Sequence, residues 1–574
     1  MKSAEIRELF LSFFEEKGCR RVQSSSLIPD DPSLLLSNAG MNQFKQYYLG
    51  KKTMAEIGAC SCQKCVRTND IDNIGKDGRH LSFFEMLGNF GFGGYTKRQA
   101  CEWAFEFITS PKYLGLPLDK LYFTIFNDDD DAHDIWRSLG VPEEHISRLG
   151  EDDNFWAAGP TGPCGPCSEI YYDQGPEIGC GSPDCAPGCD CDRYLEFWNL
   201  VFTQYDRQED GSMPELPHRN IDTGMGLERI TAIMQGKSAN YDGDLMHSLI
   251  ELGERLTGKK YGEDPKSDMS LRILADHSRA VTFMIGDGIL PSNEGRGYVL
   301  RRLLRRAVYH ARMLGVEGTF MANYIDEVIA AMGSAYPEIA QNSELIHRIV
   351  KSEEERFSST LRTGQSYLDE VLADLEAGAQ VPGAIAFKLH DTYGFPIDLT
   401  VEIAEAAGHT VDLEGFKVEM DAQRQRARSQ VKDVVWGKFD TVWVALADKF
   451  KSDEFVGYTE DSCDTVVRAL VADEKSVESA SAGDKVDVLL ERTPFYAEKG
   501  GQCGDTGFIE ADGFKLQVLG TTYAEKVLTV HHCQVLNGTV NAGDECTAAI
   551  DTMARARISR NHTATHILHA ALRQ

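Results

Sequence analysis

The chain has 574 residues, 42% of them hydrophobic and 26% charged, which fits a globular protein of about four domains, because the length exceeds what one core serves. Its 89 acidic residues against 59 basic ones leave a formal charge of -30, which argues against non-specific nucleic-acid binding over most of the surface, so any RNA contact must be local. The charged start MKSAEIRELF has no apolar signal core, and no apolar run nears the ~20 residues of a bilayer span; a cytoplasmic chain without membrane contact is expected, its 15 cysteines serving as free thiols or metal ligands in place of a disulfide framework.

A first helix is predicted over 4–17, with Ser3 as N-cap, Glu5 in the first turn and Gly18 past its end. Ile6, Leu9, Phe10 and Phe13 recur at i, i+3, i+4, i+7 and mark its buried face. Between about 53 and 245, short β-rich runs such as 121–126 and 195–205 alternate with helical segments. No GxGxxG and no strict βαβ rhythm occur, which favours an antiparallel sheet flanked by helices. From about 246 to 450 the pattern is helical, with one long helix over 343–376 expected to break at Gly364. Beyond Gly457, valine- and threonine-rich runs divided by glycine and aspartate, such as 485–490, predict a small β-barrel. From Asp551 the pattern turns helical again, and its apolar residues Ile567, Leu568, Ala571 and Leu572 still recur near the last residue, as in a fragment of a longer protein.

Two stretches carry the chemistry. In CVRTNDIDNIGKDGRHLSFFEMLGNFGFGGY (65–95), Arg67 ends one strand, a polar turn over 70–78 separates it from Arg79, and an antiparallel return strand begins at Leu81. Guanidinium forks grip phosphates bidentately and a phenylalanine of the return strand offers a face to a base, although a hairpin with two solvated arginines has the same pattern. In IDTGMGLER (221–229), glycines allow close backbone approach to a ligand and a helix start carries Arg229.

Together these resemble motifs 2 and 3 of the class II aminoacyl-tRNA synthetases. NAGMNQFK (38–45), FFEMLGNF (83–90), GPCGPCSEIYYD (162–173) and WNLVFTQY (198–205) are similar to the alanyl-tRNA synthetase family, and the likeness runs from residue 5 to the end. It implies an α+β fold: a class II catalytic domain over 1–245, a helical domain for the tRNA acceptor stem over 246–455, a β-barrel over 456–550, and the start of an editing domain over 551–574. The implied reaction activates alanine with ATP and Mg2+ and transfers it to the 3′ end of tRNA(Ala). Both steps cross crowded negative charge, so positioning and cations matter more than a nucleophile. By the resemblance, Arg67 meets the α-phosphate and the amino-acid carboxylate, Arg79 the γ-phosphate, Arg229 the far phosphates, and Phe83 stacks on adenine, with Phe84 as the alternative ring. Asn69 stands where the class has glutamate, which leaves the adenine amino contact unassigned, and no carboxylate pair singles itself out for Mg2+. Alanine is expected between Asp222, which takes the ammonium beside Gly224, and a small pocket of Trp156, Asn199 and Val201; core packing of Trp156 and Val201 is the alternative. Such a pocket discriminates poorly against glycine and serine, since a methylene is worth only about 1–3 kcal/mol, so editing is expected.

His562 and His566 lie four residues apart and share a helix face, a spacing that alone points weakly to a metal. In the family both belong to the editing zinc site, whose other ligands come from later sequence, so editing would be incomplete in this chain. Cys180, Cys185, Cys189 and Cys191 fall within 12 residues rich in glycine and proline and can wrap Zn2+ tetrahedrally, with reduced thiols as the alternative. Cys164 and Cys167 sit in a loop common to the family and are not counted as ligands. For RNA, the segment RGYVLRRLLRRAVYHARML has an apolar face and places Arg301, Arg302, Arg305 and Arg306 elsewhere, a phosphate track or a helix paired with the chain's carboxylates. The resemblance adds Asn293 and Asp391 as readers of a G·U wobble pair in the acceptor stem, and leaves any oligomer to the sequence beyond residue 574. Two other functions stand beside the ligase: a metal hydrolase of mischarged tRNA, which would need no ATP, and an RNA-binding paralogue without chemistry, which would not retain Arg67, Asp222 and Arg229.

Overall fold

The computed structural model describes residues 1–31, 33–69, 71–157, 159, 161–376, 378–430, 441–472, 475–524 and 528–573. The chain forms two compact units, Met1–Arg424 and Gln425–Gln574. The first is built on nine strands: β1 (Cys19–Arg21), β2 (Gly58–Val66), β3 (Phe83–Phe92), β4 (Leu121–Phe126), β5 (Ile146–Leu149), β6 (Phe155–Ala157), β7 (Gly162–Asp173), β8 (Tyr194–Arg207) and β9 (Glu215–Gly226). Their order is β1-β2-β3-β9-β8-β7-β4-β5, with β6 beside β7. The interior pairs are antiparallel, as the absence of a βαβ rhythm predicts, and only the two edges, β1 on β2 and β4 on β5, are parallel.

The helix Ser3–Glu16 packs one face of this sheet. Ile6, Phe10 and Phe13 are buried as its periodicity predicts, joined by Leu11 and Phe14, and Phe10 and Phe14 meet Trp198 of β8 at 5.7 and 6.4 Å. The helix begins one residue earlier than its sequence suggests, because Lys2 is the cap and its N–H donates to Glu5 Oε2 at 2.7 Å. Ser3 is instead in the first turn, donating its own N–H to Asp244 Oδ2 at 3.1 Å.

Helices then cover the same unit. Pro265–Gly286 starts with Asp264 accepting from Ser267 N at 3.0 Å and proline in the first turn, and is buried along most of its length. Ser343–Asp374 runs 32 residues without the break expected at Gly364. That glycine serves close packing: a Cβ there would lie 2.5 Å from the Phe395 ring and 3.0 Å from Tyr393 Cβ.

In the helix Gly295–Met313 the predicted apolar residues Val299, Leu300, Leu303, Leu304, Ala307 and Ala311 are all buried. Its arginines do not form a solvent-facing phosphate track. Arg305 Nε donates to Glu353 Oε1 at 2.9 Å, and Arg306 Nε to Glu402 Oε2 at 3.0 Å, with both arginines buried. Arg301 pairs with Glu353 at 3.0 Å and Arg302 with Asp398 at 2.7 Å. In a chain with 30 surplus negative charges, carboxylates from later helices claim these cations, and desolvation favours pairing over exposure. Arg306 also donates from Nη1 to the carbonyls of Ile71 and Ile74 at 3.2 and 3.5 Å and to His277 Nε2 at 3.2 Å. His277 stays neutral, its pKa lowered to about 4 by burial, and its Nδ1 donates to Asp276 Oδ2 at 2.8 Å.

The second unit holds the predicted barrel. Ser462–Ala472, Lys485–Leu490, Leu528–Asn541, Phe514–Ala524, Gly507–Ala511 and Glu545–Ile550 pair in that order, and the last closes on the first. Val467, Val488, Leu490, Ile509, Leu516 and Val540 fill its interior. The helix Thr552–Arg573 follows, tied to the barrel by Arg555, whose Nε donates to Asp505 at 2.8 Å. None of the described helices is long and apolar enough to cross a membrane.

Replacing Arg306 with glutamine leaves Glu402 and two loop carbonyls under-compensated in the interior. The expected loss is about 3–5 kcal/mol of stability, whereas Arg21→Gln, whose partners are largely solvated, should cost under about 1 kcal/mol. Urea unfolding of the first unit followed by tryptophan fluorescence measures both; equal midpoints for the two variants would remove Arg306 from its structural role.

Candidate active site

The β2–β3 hairpin has the register that its sequence suggests, from Gly58 opposite Gly91 to Val66 opposite Phe83. Arg67 leaves the end of β2 and Arg79 lies in the connecting segment. Because successive side chains of a strand point to opposite faces, Phe83, Glu85 and Leu87 pack into the core while Phe84 and Met86 face a cavity of about 310 Å3. Arg67, Arg79, Arg229, Trp156, Asn199, Val201, Asp222 and Gly224 all line that cavity. Phe83 does not. It is fully buried, stacked on Phe283 with ring centroids 4.3 Å apart and with the Arg279 guanidinium 5.0 Å from its ring. Phe84 therefore supplies the cavity's phenylalanine on this strand, with Arg67 5.1 Å from its centroid. Asn69 lines a neighbouring hollow with Thr68 and Ala157 instead.

The segment between Arg67 and Phe83 has little secondary structure of its own, and helices behind it hold its carbonyls. Arg306 takes Ile71 and Ile74, as above. Arg272 Nη1 donates to the carbonyls of Gly75 and Asp77 at 3.4 Å each, Asn240 Nδ2 to that of Arg79 at 2.9 Å, and the Tyr241 hydroxyl to that of His80 at 2.9 Å. Gly75, at φ +92°, lets the turn lie against Pro265–Gly286, where a Cβ would come within 2.8 Å of the Met269 carbonyl.

The three cavity arginines have different tethers. Arg67 Nε donates to the Asn38 carbonyl at 3.2 Å. Arg229 Nη1 donates to both the carbonyl and the carboxylate of Glu196 at 2.6 Å. Arg79 Nη2 donates to the Asp190 carbonyl at 2.6 Å.

In the same cavity, β8 and β9 set Val201 opposite Asp222 and Asn199 opposite Gly224. Asp222 is 6% exposed and no cation pairs with it among the described residues; burial pushes its carboxyl up to about 7. Gly224 makes room for a neighbour, since a Cβ there would lie 2.8 Å from Met86 Sδ. Trp156 comes from β6, the short strand paired only with β7.

Glu169 and Glu196 also face the cavity, and sequence reasoning missed both. Asn199 Nδ2 donates to Glu169 Oε1 at 2.8 Å, and burial together with the charge of Glu196 pushes the Glu169 carboxyl up to about 8. Counting alternate residues back from Val201 and Asn199 reaches Phe197 and skips Glu196. A bulge lets both in: Ile170 pairs with Trp198 but Tyr171 with Glu196, leaving Phe197 as the extra residue. For Glu169 the signal was readable, as its cross-strand partner is Asn199.

Other predicted residues lie outside this cavity. Asn293 and Asp391 are exposed; Asn293 Oδ1 accepts from Arg301, and Asp391 Oδ1 from Gln423. Cys180, Cys185, Cys189 and Cys191 have their sulfurs within 4.8 Å of one another, a donor set and size that fit one tetrahedral Zn2+. His562 and His566 bring their Nε2 atoms within 3.2 Å, with His562 Nδ1 2.9 Å from Gln502 Oε1. Among the described residues no third metal-ligating side chain joins them.

Comparison with known proteins gives the same direction. The family described as tRNA synthetases class II (A) matches residues 5–554. The chain is 49% identical to an alanine--tRNA ligase of Thermoanaerobacter sp. (strain X514) over 99% of its own length and 65% of that protein's. For the alanine--tRNA ligases of Carboxydothermus hydrogenoformans and Clostridioides difficile (strain 630) the values are 49% and 48% identity, over 100% and 99% of this chain and 66% and 65% of theirs. The chain thus spans about 65% of the length of these curated relatives. With the family match running from the first helix into the helix after the barrel, the chain belongs to the class II tRNA synthetases.

Proposed function

We propose that this chain activates alanine with ATP and passes the alanyl group to the 3′ end of tRNA(Ala). One observation carries the reading: a single cavity is lined by three arginines and by Asp222, a buried carboxylate with no cation paired to it among the described residues, together with Trp156 and Val201. In the first step the alanine carboxylate oxygen bonds to the α-phosphorus and pyrophosphate leaves. Arg67 touches both reacting anions and neutralises charge that grows between them, while Arg79 and Arg229 hold the departing phosphates. Phe84 stacks on adenine, a role that the core packing of Phe83 denies to that residue. Asp222 binds the α-ammonium, and the wall behind it leaves room for a methyl group. In the second step a ribose hydroxyl of the tRNA end attacks the alanyl carbonyl carbon and AMP leaves.

The ATP chemistry proposed here implies Mg2+. Glu169, whose carboxyl is pushed up to about 8, and Glu196, which is shared with Arg229, are the carboxylates that would hold such a cation together with the phosphates, since Mg2+ takes one or two protein carboxylates. When bound, it neutralises phosphate charge. We assign Asn293 and Asp391, both exposed, to reading the G·U pair in the acceptor stem. The four cysteines hold a structural zinc in this reading, and His562 with His566 contributes two ligands to an editing zinc site, at which glycine and serine attached in error are hydrolysed. A cytoplasmic location accords with this activity.

The purified chain is expected to exchange pyrophosphate into ATP with alanine, and Arg67→Ala or Asp222→Ala to lower that rate by at least about 10²-fold. No alanine-dependent exchange by folded protein would refute the reading. Alanine binding also reports Asp222, because the ammonium needs the carboxylate ionised and this group is protonated below about pH 7. The Kd for alanine should therefore rise about tenfold per pH unit below 7 and level off above it; a flat profile from pH 5.5 to 8.5 would exclude Asp222 as the anchor. The two phenylalanines should separate cleanly. Phe84→Ala is expected to raise KM for ATP about tenfold at nearly unchanged stability, and Phe83→Ala to cost about 3–5 kcal/mol of stability; the reverse pattern would restore Phe83 to the adenine.

A further inference from the structure

Arg79 has its main chain and its guanidinium anchored in different places. Its N–H donates to Asp77 Oδ1 at 3.0 Å and its carbonyl accepts from Asn240 at 2.9 Å, both within the motif 2 turn and the helix start behind it. The guanidinium instead reaches across to the cysteine segment. Nη2 donates to the Asp190 carbonyl at 2.6 Å, Nη1 to the Cys191 carbonyl at 3.4 Å, and Nε lies 3.6 Å from Asp192 Oδ1. All three acceptors belong to residues at or beside the last metal-ligating cysteine.

That segment has little else to fix it. No helix or strand occurs between Asp173 and Tyr194, Gly181 and Gly188 adopt φ of +75° and +91°, and most of residues 180–191 are exposed. Its base is tied by Arg193 Nε to Asp173 at 3.0 Å and by Gln174 Nε2 to the Asp192 carbonyl at 2.7 Å. Further out the cohesive element is the thiol cluster itself, Cys180 to Cys189 at 3.9 Å and Cys185 to Cys191 at 3.4 Å. A tetrathiolate metal would lock these four sulfurs and, with them, the carbonyls of residues 190 and 191.

We propose that the cysteine segment is a positioning element for Arg79, so that metal occupancy at Cys180, Cys185, Cys189 and Cys191 sets the enzyme's affinity for the distal phosphates of ATP. The proposal rests on the assignment of Arg79 to those phosphates. A guanidinium pre-aimed by two carbonyls loses less side-chain freedom on meeting a phosphate, whereas a released one must be ordered by the nucleotide itself. With Arg79 assigned to the distal phosphates, which AMP and alanine lack, the effect is expected for ATP alone.

The test compares the zinc-loaded chain, the chelator-stripped chain and the stripped chain with zinc restored, by calorimetric binding of ATP, AMP and alanine without turnover. Loaded protein should carry one zinc per chain. Stripping should weaken ATP about tenfold, the scale of one charged hydrogen bond, leave AMP and alanine within about twofold, and be reversed by zinc. Arg79→Ala in loaded protein should reproduce the loss, and stripping that variant should add nothing further. Cys185→Ser with Cys191→Ser provides a version without chelator, and retained AMP binding verifies its fold. Less than one zinc per chain, equal ATP affinity with and without metal, parallel weakening of AMP, or additive effects of stripping and Arg79→Ala would each overturn the proposal. A loaded wild-type chain that binds ATP no better than AMP would instead strike at the assignment of Arg79 itself.

Discussion

The antiparallel register of β8 against β9 decides where this molecule can do chemistry. It puts Val201 opposite Asp222 and Asn199 opposite Gly224, so the groups suited to a small amino acid share one patch of sheet. The β3–β9 pairing then brings Phe84 and Met86 to the edge of the same patch. A one-residue slip of any of these strands would turn its side chains to the other face. Register is therefore the geometric constraint on which the proposed recognition of ATP and alanine depends, and the packing of Phe10, Phe14 and Phe107 around Trp198 on the opposite face helps to fix it.

Charge is distributed by the same logic. A chain with a surplus of 30 negative charges sets many of its arginines against carboxylates, and the interior pairs Arg279 with Glu228, Arg305 with Glu353 and Arg306 with Glu402. These pairs organise structure. Arg306 and Arg272 hold the carbonyls of the motif 2 turn and thereby link the helices to the cavity. The cavity itself keeps an imbalance: a carboxyl at Asp222 raised by burial and another at Glu169 raised by burial and by Glu196, facing arginines whose tethers are mostly backbone carbonyls. In the proposed function, substrates that bring an ammonium, phosphates and a cation would relieve that imbalance.

Much of this was legible in the residues. The hairpin, the sheet flanked by helices, the barrel, and the cavity positions of Arg67, Arg79, Arg229, Trp156, Asn199, Val201, Asp222 and Gly224 follow from local pattern and motif wording. What escaped depends on geometry that sequence does not encode locally. Phe83 and Phe84 differ by one place in an alternating strand, and the ring that is buried stacks on Phe283, 200 residues away. The arginines of Gly295–Met313 look free because Glu353 and Glu402 arrive 48 and 96 residues later. Glu196 was hidden by a bulge, and Gly364 looked like a helix breaker when it is a contact point for Phe395.

The central claim, that one cavity holds nucleotide and amino acid in a defined orientation, is tested most directly by determining the structure of the chain with a non-hydrolysable alanyl-adenylate analogue. The ammonium is expected within hydrogen-bonding distance of Asp222, the phosphate mimic against Arg67 and the adenine face on Phe84. An analogue bound with its ammonium away from Asp222, or with its base against any surface other than Phe84, would contradict it.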